Sequence, residues 1–180
     1  MMPVRNEANR WLASVLDFLS RLVDNIIVFD DASTDDTPNL CQRYPKVQYY
    51  RGTNGQFDID ESKLRRHLWD LTIQLEPEWI LALDADELPE TGALALIPKL
   101  LNQRDFDAIA FRLFDLWKSP GYVRNDGAWN PWHRFSPLLV RYDPGLASDW
   151  ATQAIHCGRF PLAYRDRVTF YSSLRIRHYG

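Results

Sequence analysis

Apolar positions in the first half of the chain alternate between two periods. Leu12, Val15, Leu16, Phe18, Leu19 and Leu22 recur three and four apart, which predicts an amphipathic helix. Ile26-Ile27-Val28-Phe29 follows, a short β-branched run of the kind found in a strand covered on both faces, and Asp30 and Asp31 close it. Thr37-Pro38 reads as an N-cap with proline at the first helical position, opening a short helix toward Tyr44, and Val47-Gln48-Tyr49-Tyr50 reads as the next strand. Gly52 and Gly55 mark a loop. Leu64, Leu68, Leu71 and Leu75 share one face of a helix from about Glu61, which feeds the strand Trp79-Ile80-Leu81-Ala82-Leu83.

With a first strand of about four residues, this is a β-α-β-α-β-α-β series. Right-handed crossovers place its strands in one parallel sheet, whose ligands bind beyond the carboxyl ends of the strands. Asp31 and Asp84 both stand at such ends. After a further helix near Gly92 to Leu101 the pattern changes. Ala108 to Leu113, Leu138 to Arg141 and Val168 to Tyr171 read as strands among Gly, Pro and Trp, which predicts mixed or antiparallel additions. Too few independent apolar segments follow Gln103 for a second core, so residues 1–180 read as one α/β domain with subregions 1–103 and 104–180.

Composition narrows the function. The 180 residues are 46% hydrophobic and 25% charged, which are globular values. Net charge is 21 minus 24, or −3, and no run of Lys and Arg forms a basic groove, so a nucleic-acid partner is not expected. Cys41 and Cys157 stand far apart without metal spacing and read as reduced thiols of a cytoplasmic protein. No segment approaches the ~20 apolar residues of a membrane span.

Asp84-Ala85-Asp86-Glu87 ends a buried strand in three carboxylates within four residues. Two carboxylates about 4 Å apart repel by roughly 4 kcal/mol at an effective dielectric of about 20. A cation between them, a hard divalent ion such as Mg²⁺ or Mn²⁺, makes such crowding favourable.

Three segments together, Val4-Arg5-Asn6-Glu7, Phe29-Asp30-Asp31-Ala32-Ser33-Thr34-Asp35-Asp36-Thr37 and Leu83-Asp84-Ala85-Asp86-Glu87, resemble family 2 glycosyltransferases in order and spacing. The tail, with Ile155-His156-Cys157-Gly158-Arg159 and Arg177-His178-Tyr179-Gly180, resembles them more loosely. The resemblance implies the GT-A fold of nucleotide-diphospho-sugar transferases, a doubly wound, mostly parallel sheet. It also implies hexosyl-type transfer, with inversion, from a nucleotide-sugar donor, a UDP-sugar, to an unspecified glycan, lipid or protein acceptor. Residues 1–103 would then hold the nucleotide, and 104–180 would build the acceptor side and complete the metal site. The first strand is short and the chain stops where relatives commonly continue, as expected of a fragment.

Carried over residue by residue, Pro3, Arg5 and Glu7 lie on the loop that wraps the nucleotide, Asp31 accepts a hydrogen bond from the base, and Asp84 binds ribose or metal. Asp86 is the direct metal ligand, and His178, near the carboxyl end, completes the ion site or else is a surface or core histidine with a local hydrogen bond; His156 is a weaker candidate. Arg5 stands where the family often has an aromatic residue. Arg65 or Arg66 could reach the diphosphate from the helix before Asp84, or else pair with Asp60 and Glu61 on a solvated face. Asp30 reads as structural, and Asp35 and Asp36 as turn and cap residues. Glu87, Asp126 and Asp149 are candidate bases for the acceptor hydroxyl, Asp149 the favoured one. Trp129, Trp132 and Trp150 are sugar platforms or, for most of them, core.

Two phosphoryl-transfer readings are weaker. A haloacid-dehalogenase-type phosphatase opens with its Asp-x-Asp and has Thr or Val where Glu87 stands here. A receiver domain lacks a Trp-rich tail. A GT-A module that binds nucleotide or glycan without turnover is not separable by sequence.

Overall fold

The computed structural model describes residues 1–53, 55, 57, 59–116, 121–126, 130–151 and 157–180. Three short strands, β1 (Met2–Val4), β2 (Ile26–Asp30) and β3 (Val47–Arg51), pair in parallel in that order, with Val4 opposite Asp30 and Asp30 opposite Arg51. The connections are α1 (Leu12–Leu22) and α2 (Thr37–Gln42). α1 forms where its spacing predicts: Leu12, Val15, Leu16, Phe18 and Leu19 make the buried face, and Val23 N–H closes the helix on Leu19 O at 2.9 Å. At α2 the N-cap residue is Asp36, one position earlier than the Thr37 expected from sequence.

The expected single parallel sheet is divided. After α3 (Glu61–Ile73), β4 (Trp79–Leu81) joins a second sheet of order β4-β7-β6-β8-β5, made with β5 (Glu87–Pro89), β6 (Ala108–Asp115), β7 (Phe135–Arg141) and β8 (Thr169–His178). β6 and β8 are parallel, and the other three pairings are antiparallel. α4 (Ala93–Leu101) lies between β5 and β6. Met1 joins the two sheets: its N–H donates to Leu81 O at 2.7 Å and its carbonyl accepts from Leu83 N–H at 3.3 Å, the parallel pattern.

β5 is a strand that the sequence reading lacks. It sets Glu87 opposite His178 and so draws the last strand onto the acidic motif. The largest core cluster mixes residues of both halves, from Met2, Leu16 and Val28 to Phe111, Leu138 and Ile176. No described helix is long and apolar enough to cross a membrane. Cys41 and Cys157 are free and buried, and burial pushes their thiols up to about 12 and about 11.

Candidate functional site

Two loops at the carboxyl ends of β1 and β2 form the first wall. One turns through Asn6 at φ 56° and the other through Ala32 at φ 64°, where asparagine is tolerated but alanine carries a steric cost. Hydrogen bonds stitch them together. Asn6 N–H donates to Ser33 Oγ and Thr34 N–H to Asn6 Oδ1, both at 2.8 Å. Glu7 N–H donates to Thr37 Oγ1 at 2.8 Å, and Asp35 accepts from Ala8 N–H at 3.1 Å and from Thr37 N–H at 3.0 Å. Desolvation works against the Asp35 charge, but the bonds from Thr37 and Ala8 outweigh it and hold this carboxyl below the ordinary Asp range. Asp35 therefore orders the turn into α2, while Asp36, the N-cap residue, makes no side-chain capping bond, accepting from Asn39 Nδ2 and pairing with Arg43 instead.

Asp30 is structural, accepting from Ser33 N–H at 2.8 Å and from the Tyr49 hydroxyl at 2.5 Å. Asp31 faces the other way. Its buried carboxylate accepts from Phe57 N–H at 2.9 Å and lies 4.0 Å from the Arg5 guanidinium, which packs against Gly55 so closely that a Cβ there would come within 3.3 Å of Nη1. Glu7 pairs with Arg10 at 3.0 Å through Oε1, leaving Oε2 buried without a hydrogen-bond partner. Burial first, then Asp86 and Asp35, raise the Glu7 pKa above the ordinary Glu range despite Arg10.

The floor is the acidic motif, and the cations expected there belong to the protein. Arg65 donates to Asp84 Oδ1 at 3.0 Å and, through Nε, to Glu61 at 3.1 Å. Arg159 donates to Asp84 Oδ2 at 2.9 Å and forks onto Glu87, at 2.6 Å to Oε2 and 2.7 Å to Oε1. Glu87 Oε2 also accepts Asp84 N–H at 2.9 Å. Desolvation opposes the Asp84 charge, yet Arg159 and Arg65 hold this carboxyl below the usual carboxylate range. Two guanidinium groups, Arg65 and Arg159, offset the repulsion argued from sequence at Asp84.

Asp86 is held differently. Its Oδ2 lies 3.6 Å from His178 Nε2 and 4.0 Å from Arg10, and its carbonyl accepts Tyr179 N–H at 3.0 Å. His178 Nδ1 is 2.7 Å from Asp115 Oδ1, the neighbouring β6 residue in register. That bond, with Asp86 and Glu87 nearby, raises His178 to about 9 against the cost of burial. Tyr179 then stacks on Trp11, with centroids 3.7 Å apart and planes at 22°.

Pro3, Arg5, Glu7, Asp31, Arg65, Asp84, Asp86 and His178 line one cleft of about 720 Å³, together with Arg10, Arg134 and Arg159. A second cavity, about 560 Å³, lies against Leu22, Trp79 and Pro98 and holds none of the sequence-predicted site residues. Among the described residues no three His, Cys, Asp or Glu side chains are placed to hold a metal. A divalent ion would find Asp86 Oδ2 and, once the imidazole gives up its Nε2 proton, His178 Nε2, oriented because Asp115 takes Nδ1; the imidazole suits Mn²⁺ better than Mg²⁺, and phosphate oxygens would complete the coordination.

None of the candidate bases Asp149, Glu87 and Asp126 lines this cleft; Asp149 is exposed and its carbonyl accepts Leu162 N–H at 2.7 Å. Asp126 pairs with Arg124 at 2.7 Å. Arg66 is exposed, so of the two arginines only Arg65 reaches the cleft, and it does so already paired. Trp150 is core, Trp132 is half-exposed edge-on to Phe114, and Trp129, Ile155 and His156 lie outside the described residues. Sequence reasoning gave no role to Arg10, Asp115 or Arg159. Asp115 and Arg159 act through charge pairs distant in sequence, which leave no spacing signal, and Arg10 pairs locally with Glu7 while standing 4.0 Å from Asp86.

Residues 1–60 match the family model described as Glycosyl transferase family 2. Uncharacterized proteins of Mycobacterium tuberculosis and Mycobacterium bovis are each 26% identical over 182 aligned residues, covering 97% of this chain and 44% of theirs, so the chain spans less than half the length of these curated relatives. S. aureus TarS 1–349 in complex with UDP-GlcNAc superposes with a TM-score of 0.66 at 15% identity, over 99% of this chain and 58% of that one. The same protein in complex with UDP gives 0.55 at 17% identity, over 66% and 36%. The fold is GT-A-like, and the resemblance to family 2 glycosyltransferases stands.

Proposed function

We propose that this chain carries the donor site of a nucleotide-sugar transferase that is metal-dependent and inverts at the anomeric carbon, in a reducing, cytoplasmic setting. One observation carries the reading: Asp31 and the Asp84–Asp86 pair, from separate strand ends, open into the same cleft, with His178 completing the far side. The arrangement suits a UDP-sugar. Asp31 and Arg5 stand where a base with an N–H donor would lie, and the unpartnered Glu7 Oε2 is an acceptor suited to a hydroxyl. S. aureus TarS, named in complex with UDP and UDP-GlcNAc, shares the fold and supports that choice of donor.

In the transfer, an acceptor oxygen forms a bond to the anomeric carbon as the bond to the diphosphate oxygen breaks, and the hydroxyl proton passes to a base. Asp86 and His178 would hold Mn²⁺ or Mg²⁺, which as a Lewis acid neutralises charge on the leaving diphosphate. Arg10 adds positive charge at the same rim. Calorimetry with UDP and Mn²⁺ tests the reading: wild-type chain binds, and Asp86→Ala loses cation-dependent affinity while its fold is retained. Unchanged affinity in the variant removes the site.

One observation favours a second reading, a module that binds a nucleotide sugar without turnover. Asp149 lies outside the cleft and Glu87 is fully engaged by Arg159 and Asp84 N–H. UDP release from a panel of UDP-sugars and acceptors separates the two.

A further inference from the structure

Arg159 reaches the acidic motif from a distant part of the chain, and its side chain is 18% exposed. Nη1 serves Glu87 Oε2 and the Ala82 carbonyl, the latter at 3.3 Å, while Nη2 bridges Glu87 Oε1 and Asp84 Oδ2. With Arg65 on the other Asp84 oxygen and Asp84 N–H on Glu87, all four carboxylate oxygens of these two residues are engaged within the protein. Asp86 has no such clamp; Arg10 and His178 stand off at 4.0 and 3.6 Å.

We propose that Arg159 is a positioning residue, an internal counter-cation that withholds Asp84 and Glu87 from metal and leaves Asp86 as the motif's only carboxylate free to bind one. The planar fork suits this task, because one guanidinium bridges two carboxylates at fixed geometry where an ammonium acts as a point charge. One carboxylate and one imidazole are few ligands for a divalent ion, so the ion is held when diphosphate oxygens join them. That last step rests on the donor reading above; the role of Arg159 does not. Without the guanidinium, Glu87 keeps only Asp84 N–H and Asp84 only Arg65, so the motif carries more carboxylate charge than its remaining partners offset and is opened to a hard ion.

Arg159→Met tests this by a gain. Thermal unfolding is followed with and without Mn²⁺, in the absence of nucleotide. Wild-type chain shows no Mn²⁺-dependent shift, whereas Arg159→Met is raised by about 3–6 °C at about ten times the ion's dissociation constant. Arg159→Lys gains less. An Arg159→Met chain that folds but gains nothing from Mn²⁺ overturns the proposal, as does wild-type binding of Mn²⁺ alone that Asp84→Asn abolishes. Should Arg159→Met not fold, Asp84→Asn and Asp86→Asn are compared in the wild-type background by Mn²⁺ titration with UDP. The proposal expects at least a tenfold smaller loss for Asp84→Asn, and equal losses overturn it. Absence of UDP binding by wild-type chain overturns the donor reading, and the nucleotide-free Mn²⁺ scan still decides the role of Arg159.

Discussion

Glu87 and His178 are direct partners across the antiparallel pair of β5 and β8, and this register brings the end of the chain to the acidic motif. The same strand pairs in parallel with β6, so Asp115 stands beside His178 and fixes its ring through Nδ1. The two ladders set the direction in which Nε2 faces.

Asp115→Asn should therefore weaken cation-dependent UDP binding without touching either ligand. A partner that orients a ligating imidazole is worth about 10–100-fold in metal affinity. Calorimetry of UDP with Mn²⁺ checks this, with circular dichroism to show that the sheet persists. Full affinity in the variant would mean that His178 is held without Asp115.

Asp35 links stability to pH. Its folded pKa lies below the ordinary Asp value of about 3.9, so its contribution is fully present above about pH 4 and is lost as pH falls through the lowered value. Asp35→Asn should cost about 1–2 kcal/mol in urea unfolding near neutral pH. The gap between wild type and variant should close below pH 4. A gap that stays constant with pH would show that the carboxylate charge plays no part.

The stack of Trp11 on Tyr179 ties the start of α1 to the tail. A double-mutant cycle of Trp11→Ala and Tyr179→Ala should give a coupling of about 0.5–1.5 kcal/mol beyond the two single losses. Strict additivity would reduce the contact to simple burial.

For Asp149, the acceptor side decides. If Asp149 takes the acceptor proton, Asp149→Asn should lower transfer about 10²-fold or more with Mn²⁺–UDP affinity intact. An unchanged rate removes it from the reaction.

Periodic segments were the legible part of this fold. The spacing of Leu12 to Leu22 and of Leu64 to Leu71 marks α1 and α3, and the predicted helix from Gly92 to Leu101 forms as Ala93–Leu101. β5 escaped because three residues carry no measurable alternation. Within the site, Asp31, Asp84 and Asp86 were legible because each follows a buried run. Charge compensation was not. The argument that crowded carboxylates require a cation holds, but composition along the chain does not say that Arg65 and Arg159 supply it.

The stitched loops after β1 and β2 have a consequence for capture of a ligand. Asn6, Ser33, Asp35 and Thr37 fix that wall by bonds within the protein, so its ordering entropy is lost during folding and little remains to be lost when a guest arrives. Affinity at this end then depends on the integrity of α2, a helix of six residues. Damage there would surface as leaky retention of a guest well before the molecule as a whole melts.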